Sequence, residues 1–223
     1  MGVVRSRDEA DLLQRVEGLR PQVVSDLDRN TRTELGQFLT TASVSRLMAS
    51  MLPVQRGRVH LLDPGAGIGI LTAAVVERAC RERWPLEVLA ATAYEIDVVM
   101  LDGLGKTFEW CRERCRKAGF AFDGQIVSAD FVESGAAALG GDLFHPTCVK
   151  RFDCAILNPP YRKIQTASRE RRLLSSIGVE TSNLYSGFIA LALELLKDGG
   201  DLVAIAPRSF CNGPYLRPFR HLL

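Results

Sequence analysis

Two hydrophobic periods take turns along the 223 residues, and their alternation selects a fold class. Short, nearly continuous apolar runs at 59–63, 88–94, 125–127, 152–157 and 201–206 read as strands. Between them, 70–83, 98–118 and 184–196 carry apolar residues at helical spacing, with Leu71, Ala74, Val75 and Ala79 on one face of the first. Two helices precede the first strand. Residues 8–19 place Leu12, Leu13, Val16 and Leu19 on one side, and 43–52 turn Val44, Leu47, Met48 and Met51 inward behind Ser43 as N-cap. Gly199-Gly200 reads as the C-cap of the last helix, and 162–178 as a loop or a loosely packed helix. Strands that are apolar on both faces and alternate with helices build βαβ units. The expected fold is therefore α/β, a mostly parallel twisted sheet with helices on both faces. Residues 1–30 read as an N-terminal helical segment and 31–223 as the main domain.

With 47% apolar and 24% charged residues the chain is not largely disordered, and a net charge of +2 excludes a histone-like polyanion binder. The charge is uneven, however. Residues 158–223 hold nine Lys or Arg against five Asp or Glu, so the basic excess lies in the last third. The six cysteines form no CxxC pair and have no histidines at ligand spacing, so free thiols are expected, with no metal. No apolar run reaches about 18 residues and no signal-peptide core is present, which points to a cytoplasmic protein.

The polar, Gly- and Pro-rich breaks fall at the carboxyl ends of the strands, where open α/β sheets bind ligands. Asp63-Pro64-Gly65-Ala66-Gly67-Ile68-Gly69 follows one strand and opens a helix, and its spacing is GxGxG, not the dinucleotide GxGxxG. Glu95 ends the next strand, where a carboxylate can accept from both hydroxyls of a ribose. Acidic groups at 63, 95 and 97 would repel phosphates, so the loop suits a nucleoside better than a pyrophosphate. After the third strand, Asp130 can accept from an exocyclic amine while Phe131 packs on a purine face.

Asn158-Pro159-Pro160-Tyr161 carries the most chemical information. Two prolines fix the backbone and remove N–H groups, so the loop offers carbonyl oxygens and the Asn side chain in a set direction. Tyr161 adds a flat face. Two acceptors beside an aromatic ring make a site for a planar group that bears an NH2.

Asp63-Pro-Gly-Ala-Gly, Tyr94-Glu95-Ile96-Asp97, Ala129-Asp130-Phe131 and Asn158-Pro-Pro-Tyr161 stand in the order of the motifs of S-adenosylmethionine-dependent amino-methyltransferases. Gly36-Gln37-Phe38-Leu39-Thr40 before the Gly-rich loop resembles the N-terminal cofactor motif of the γ-ordered DNA adenine-N6 methyltransferases, with Thr41 where that family has Pro. Ser182-Asn183-Leu184-Tyr185 and Pro207-Arg208-Ser209-Phe210-Cys211-Asn212-Gly213 are similar to segments of the restriction–modification members of that group. The resemblance implies a Rossmann-like methyltransferase fold over residues 31–223 and methyl transfer from S-adenosylmethionine to an adenine flipped out of double-stranded DNA. Asn158 and Pro159 would accept from its N6 amine, Pro160 would stiffen the loop and Tyr161 would stack on the base. Phe38 and Thr40 would line the amino-acid end of the cofactor, Asp63, Gly65 and Gly67 its methionine side, Glu95 the ribose and Asp130 the adenine, with Ala66, Ile96 and Phe131 completing the set. Arg162, Lys163, Arg169, Arg171, Arg172 and Arg208 would meet phosphates.

Family members continue into further strands and a target-recognition domain. The resemblance therefore implies a chain truncated at its C-terminus or one that works with a separate recognition domain or subunit. A loop that accepts an NH2 group also suits an RNA adenine or a protein glutamine amide, and a non-catalytic nucleic-acid-binding subunit would keep the same fold.

Overall fold

The computed structural model describes residues 11–26, 39–140 and 151–208. Five strands, β1 (Gly57–Pro64), β2 (Leu86–Tyr94), β3 (Ala121–Val127), β4 (Phe152–Leu157) and β5 (Leu196–Ala204), form one sheet in the order β3-β2-β1-β4-β5. Every pairing is parallel. The helices are α1 (Leu12–Glu17), α2 (Arg20–Asp26), α3 (Ala42–Met51), α4 (Ile70–Glu82), α5 (Val98–Ala118), α6 (Phe131–Leu139), α7 (Arg169–Ser176) and α8 (Leu184–Leu195).

Period-two alternation along the central strands divides the core. Leu61, Cys154 and Ile156 face one hydrophobic cluster with α1, α3, α4 and α5, whereas Leu62, Ala155 and Leu157 face a second with α6, α7 and α8. Because both faces are covered, the strands read as continuous apolar runs. The chain moves outward from β1 to β2 and β3, then resumes on the other side of β1 with β4. That reversal puts the crevice between the ends of β1 and β4, at the topological switch point.

The N-terminal helices are part of this body. Leu12, Leu13 and Val16 are buried in the first cluster, and Leu13 N–H donates to Glu77 Oε2 on α4 at 3.2 Å. Arg46 bridges Asp11, which caps α1, and Glu77. Glu17 accepts from Ala42 N–H at 3.2 Å, and Arg20 Nη2 donates to the Leu39 carbonyl at 3.2 Å. No packing boundary separates residues 12–26 from the sheet.

Several local expectations are corrected. Thr41, not Ser43, caps α3, its extended backbone directing the hydroxyl to Val44 N–H. The buried face of that helix is Ala42, Ser45, Met48 and Ala49, while Val44, Leu47 and Met51 are exposed. Small residues let α3 lie close on α4, near enough for Arg78 to donate to the Ala49 and Leu52 carbonyls. Gly199 and Gly200 do not cap α8. Leu196 ends the helix and already pairs with Phe152, and the two glycines turn inside the register shift of β5, with Gly199 left-handed at φ 76°. Strand β3 begins at 121 rather than 125; within 162–178, read as a loop or a loosely packed helix, α7 with Ser168 as N-cap is the helix. Among the described residues no helix is long and apolar enough to cross a membrane.

Candidate active site

The first wall is the loop between β1 and α4. Gly65 and Gly67 adopt φ of 71° and 57°, a region that only glycine enters without strain. Gly65 and Ala66 donate their N–H groups to the Tyr94 carbonyl at 2.9 and 3.0 Å, which ties the loop to the end of β2. Glu95 completes the tie. Its Oε2 accepts from Gly67 N–H and its Oε1 from Ile96 and Asp97 N–H, all at 2.8 Å. Burial pushes the Glu95 carboxyl above its ordinary range, and the three amide donors pull it back toward the ionised form.

The elements at the other strand ends close the cleft. Asp130 caps α6 through Oδ1 and stands beside Ala129 and Phe131; Asn158 and Pro160 follow β4; Leu184 and Phe188, one helical turn apart on α8, form the far side. Leu39, Tyr94, Ile96, Met100 and Arg162 complete the lining. The structure thus gathers Gly65, Gly67, Glu95, Ile96, Asp130, Phe131, Asn158 and Pro160 around one space. Phe131 is nearly buried, edge-on to Tyr94 and tilted against Phe188 with ring centroids 5.1 Å apart in both pairs. Leu39, Met100, Leu184 and Phe188 were not anticipated. The i, i+4 spacing of Leu184 and Phe188 was their only signal, and an apolar helix face does not say whether it meets core or ligand.

Asp63 lies beneath the loop and not on the cleft wall. It is completely buried, with Oδ2 accepting from Thr72 Oγ1 at 2.7 Å and Thr72 N–H at 3.2 Å, while Oδ1 has no hydrogen-bond partner among the described residues. Burial pushes its pKa up to about 7, against the Thr72 hydrogen bonds and with a small push from Glu95. The folded protein holds this proton more tightly than the unfolded chain. Its stabilising contribution is therefore complete below the ordinary carboxylate pKa and is lost as pH rises to about 7. Asp63→Asn should flatten that loss. Denaturant titrations at pH 5 and pH 8 should show the variant gaining on the wild type at the higher pH, and an equal offset at both would refute the assignment.

Asn158 is fixed by side chains from two directions. Its Nδ2 donates to Thr40 Oγ1 at 3.1 Å, and its Oδ1 accepts from the Tyr161 hydroxyl at 3.0 Å. The same hydroxyl lies 3.2 Å from the Ile205 carbonyl. The Tyr161 ring sits 6.0 Å from that of Tyr185, and its hydroxyl braces Asn158. Burial pushes its phenol up to about 12, which keeps it a hydrogen-bond donor at neutral pH. Pro159 is buried behind the loop.

The basic residues are less free than the sequence implied. Arg162 reaches the cleft wall but its guanidinium is bound to Glu170 at 2.7 Å, and it holds that carboxyl down to about 2. Arg169 pairs with Glu133, and Arg171 with Glu180 and the Thr181 carbonyl. A carboxylate partner removes much of the attraction such a group would exert on a phosphate. Lys163, Arg172 and Arg208 are exposed. Phe38 and the segment 209–213 lie outside the described residues. The thiols of Cys111 and Cys154 are buried and pushed up, Cys154 to about 12, so neither ionises at neutral pH.

A parallel sheet of this order, with a glycine loop and an acidic residue at successive strand ends, is a Rossmann-like fold, one that S-adenosylmethionine-dependent methyltransferases adopt. A Listeria monocytogenes structure assigned to class I of those enzymes superposes with a TM-score of 0.64 at 15% identity, over 93% of this chain and 58% of that one. Residues 116–223 match the family model of the Eco57I restriction-modification methylases. The chain is 42% identical over 205 residues to the type II methyltransferase M.PstI of Providencia stuartii, covering 92% of this chain and 39% of that protein. Against M.BsuBI of Bacillus subtilis it is 41% identical over 198 residues, covering 86% and 38%. The chain is similar to these type II methyltransferases and spans about two fifths of their length.

Proposed function

We propose that this chain carries the cofactor-binding and catalytic part of a DNA adenine-N6 methyltransferase of a restriction–modification system. The observation that carries the reading is Asn158 on the same cleft as Gly67 and Glu95, with its amide oxygen oriented by hydrogen bonds. The cleft suits S-adenosylmethionine. A glycine cradle admits close approach of a ligand, Glu95 and Asp130 offer carboxylate oxygens to hydroxyl and amine donors, and Ile96 and Met100 offer apolar surface to a flat ring. When bound, that cofactor supplies an electrophilic methyl group.

The protein's own part is to make a poor nucleophile attack. The lone pair of an adenine amine is conjugated with the ring and carries little density outward. Asn158 Oδ1 and the Pro159 carbonyl would accept its two protons, favour a pyramidal nitrogen and stabilise the positive charge that develops there. Amide and backbone carbonyl oxygens aimed in advance at a forming cation act as an oxyanion hole does with the opposite sign. The substrate base would reach the loop by leaving the duplex. Lys163, Arg172 and Arg208, which are exposed, are the cations best able to meet the DNA backbone.

Incubation with methyl-labelled S-adenosylmethionine and DNA, RNA or protein tests the reading. Label in DNA, recovered as N6-methyladenine, is the expected result. Label in RNA, or in a glutamine amide, would transfer the same loop chemistry to another substrate and overturn the DNA assignment.

A further inference from the structure

A side-chain amide donates from one end and accepts at the other, and half a turn about its last torsion exchanges the two. For Asn158 only one setting serves an acceptor. Turned round, it would present N–H to an incoming NH2, donor against donor. Two hydroxyls hold the side chain, each able to donate or to accept. Thr40 takes the Nδ2 end at 3.1 Å and Tyr161 the Oδ1 end at 3.0 Å, and the Tyr161 hydroxyl is itself within 3.2 Å of the Ile205 carbonyl.

Thr40 arrives from 118 residues upstream, on a segment that is fastened on both sides. Arg20 binds the preceding Leu39 carbonyl, Thr41 caps α3, and Glu17 receives Ala42 N–H. Its hydroxyl is thus delivered to Asn158 by the N-terminal helices, not by the sheet that carries the NPPY loop. We propose that Thr40 is a positioning residue for the reaction: it holds the Nδ2 end of Asn158 and so fixes where the amide stands at the cleft. This rests on the reading of Asn158 as the acceptor for the substrate amine. It differs from the role implied by family resemblance, in which Thr40 lines the cofactor. That role requires a change in cofactor affinity, and positioning requires a change in turnover.

Thr40→Val keeps the shape of the side chain and removes its oxygen, and Thr40→Ser restores the oxygen. The valine variant should lose about ten-fold or more in kcat, with S-adenosylmethionine Kd and DNA KM within about two-fold, and serine should recover most of the loss. A second readout needs no turnover. The Asn158 side-chain 1H–15N pair, assigned from its disappearance in Asn158→Ala, should move in Thr40→Val and return in Thr40→Ser. Wild-type kcat in the valine variant, or a defect confined to cofactor Kd, would overturn the proposal. If the wild-type protein transfers no methyl group to DNA, the functional reading fails by itself. The amide resonance then decides whether Thr40 holds Asn158, and an unmoved signal in Thr40→Val rejects it.

Discussion

Asn158→Ala should all but abolish methyl transfer while S-adenosylmethionine binds within about three-fold of wild type. The side chain stands on the cleft with its oxygen oriented, yet the groups that would hold the cofactor come from β1, β2 and β3 and do not depend on it. Removing one preorganised partner of a developing charge costs about 10²–10³-fold in rate in comparable sites. Here the loss should be at least that large, because Pro159 is left as the sole acceptor named for two amine protons. Calorimetry with the cofactor and single-turnover transfer to DNA separate the two quantities. Turnover that survives would move the chemistry away from the loop, and lost cofactor binding would make Asn158 a cofactor residue.

Leu13→Ala should destabilise the whole protein. Leu13 is completely buried in the cluster that α4 and α5 share with β1 and β2. Truncation of such a leucine costs about 2–5 kcal/mol, which is a large fraction of the stability of one domain. A helix merely appended to the sheet would cost well under 1 kcal/mol by the usual range for exposed positions. Tryptophan fluorescence in a urea titration reads the transition, since the Arg15 guanidinium on α1 lies 4.4 Å from the Trp110 ring on α5. One shifted transition is the expected outcome. A separate early step, with the main transition unmoved, would show that α1 is an accessory.

The contrast between these residues explains what could be read from the sequence. Five strands and the loops at their ends were legible, because continuous apolar runs and glycine or proline breaks are local features. The cofactor loop, Glu95 and Asn158 came with them, since a parallel sheet carries every strand end to the same edge. Side-chain partners were not legible. The apolar pattern of α3 pointed to Val44, Leu47 and Met51, but close helix contact favoured Ala42, Ser45 and Ala49, and only the neighbouring α4 decides between the two faces. Arg162, Arg169 and Arg171 looked like an open basic cluster until α6, α7 and the turn after α7 brought Glu133, Glu170 and Glu180 to them. Tyr161 read as a stacking platform because aromatic rings stack, and the competing claim of its hydroxyl on Asn158 appears only in three dimensions.

The bond between the Glu95 carboxylate and the Gly67 amide has a kinetic corollary. A wall braced by its own neighbours keeps its outline whether or not a guest is present, so little conformational toll accompanies capture. Analogues that differ only in the groups they offer this wall should enter at similar speeds and be told apart by how long they stay.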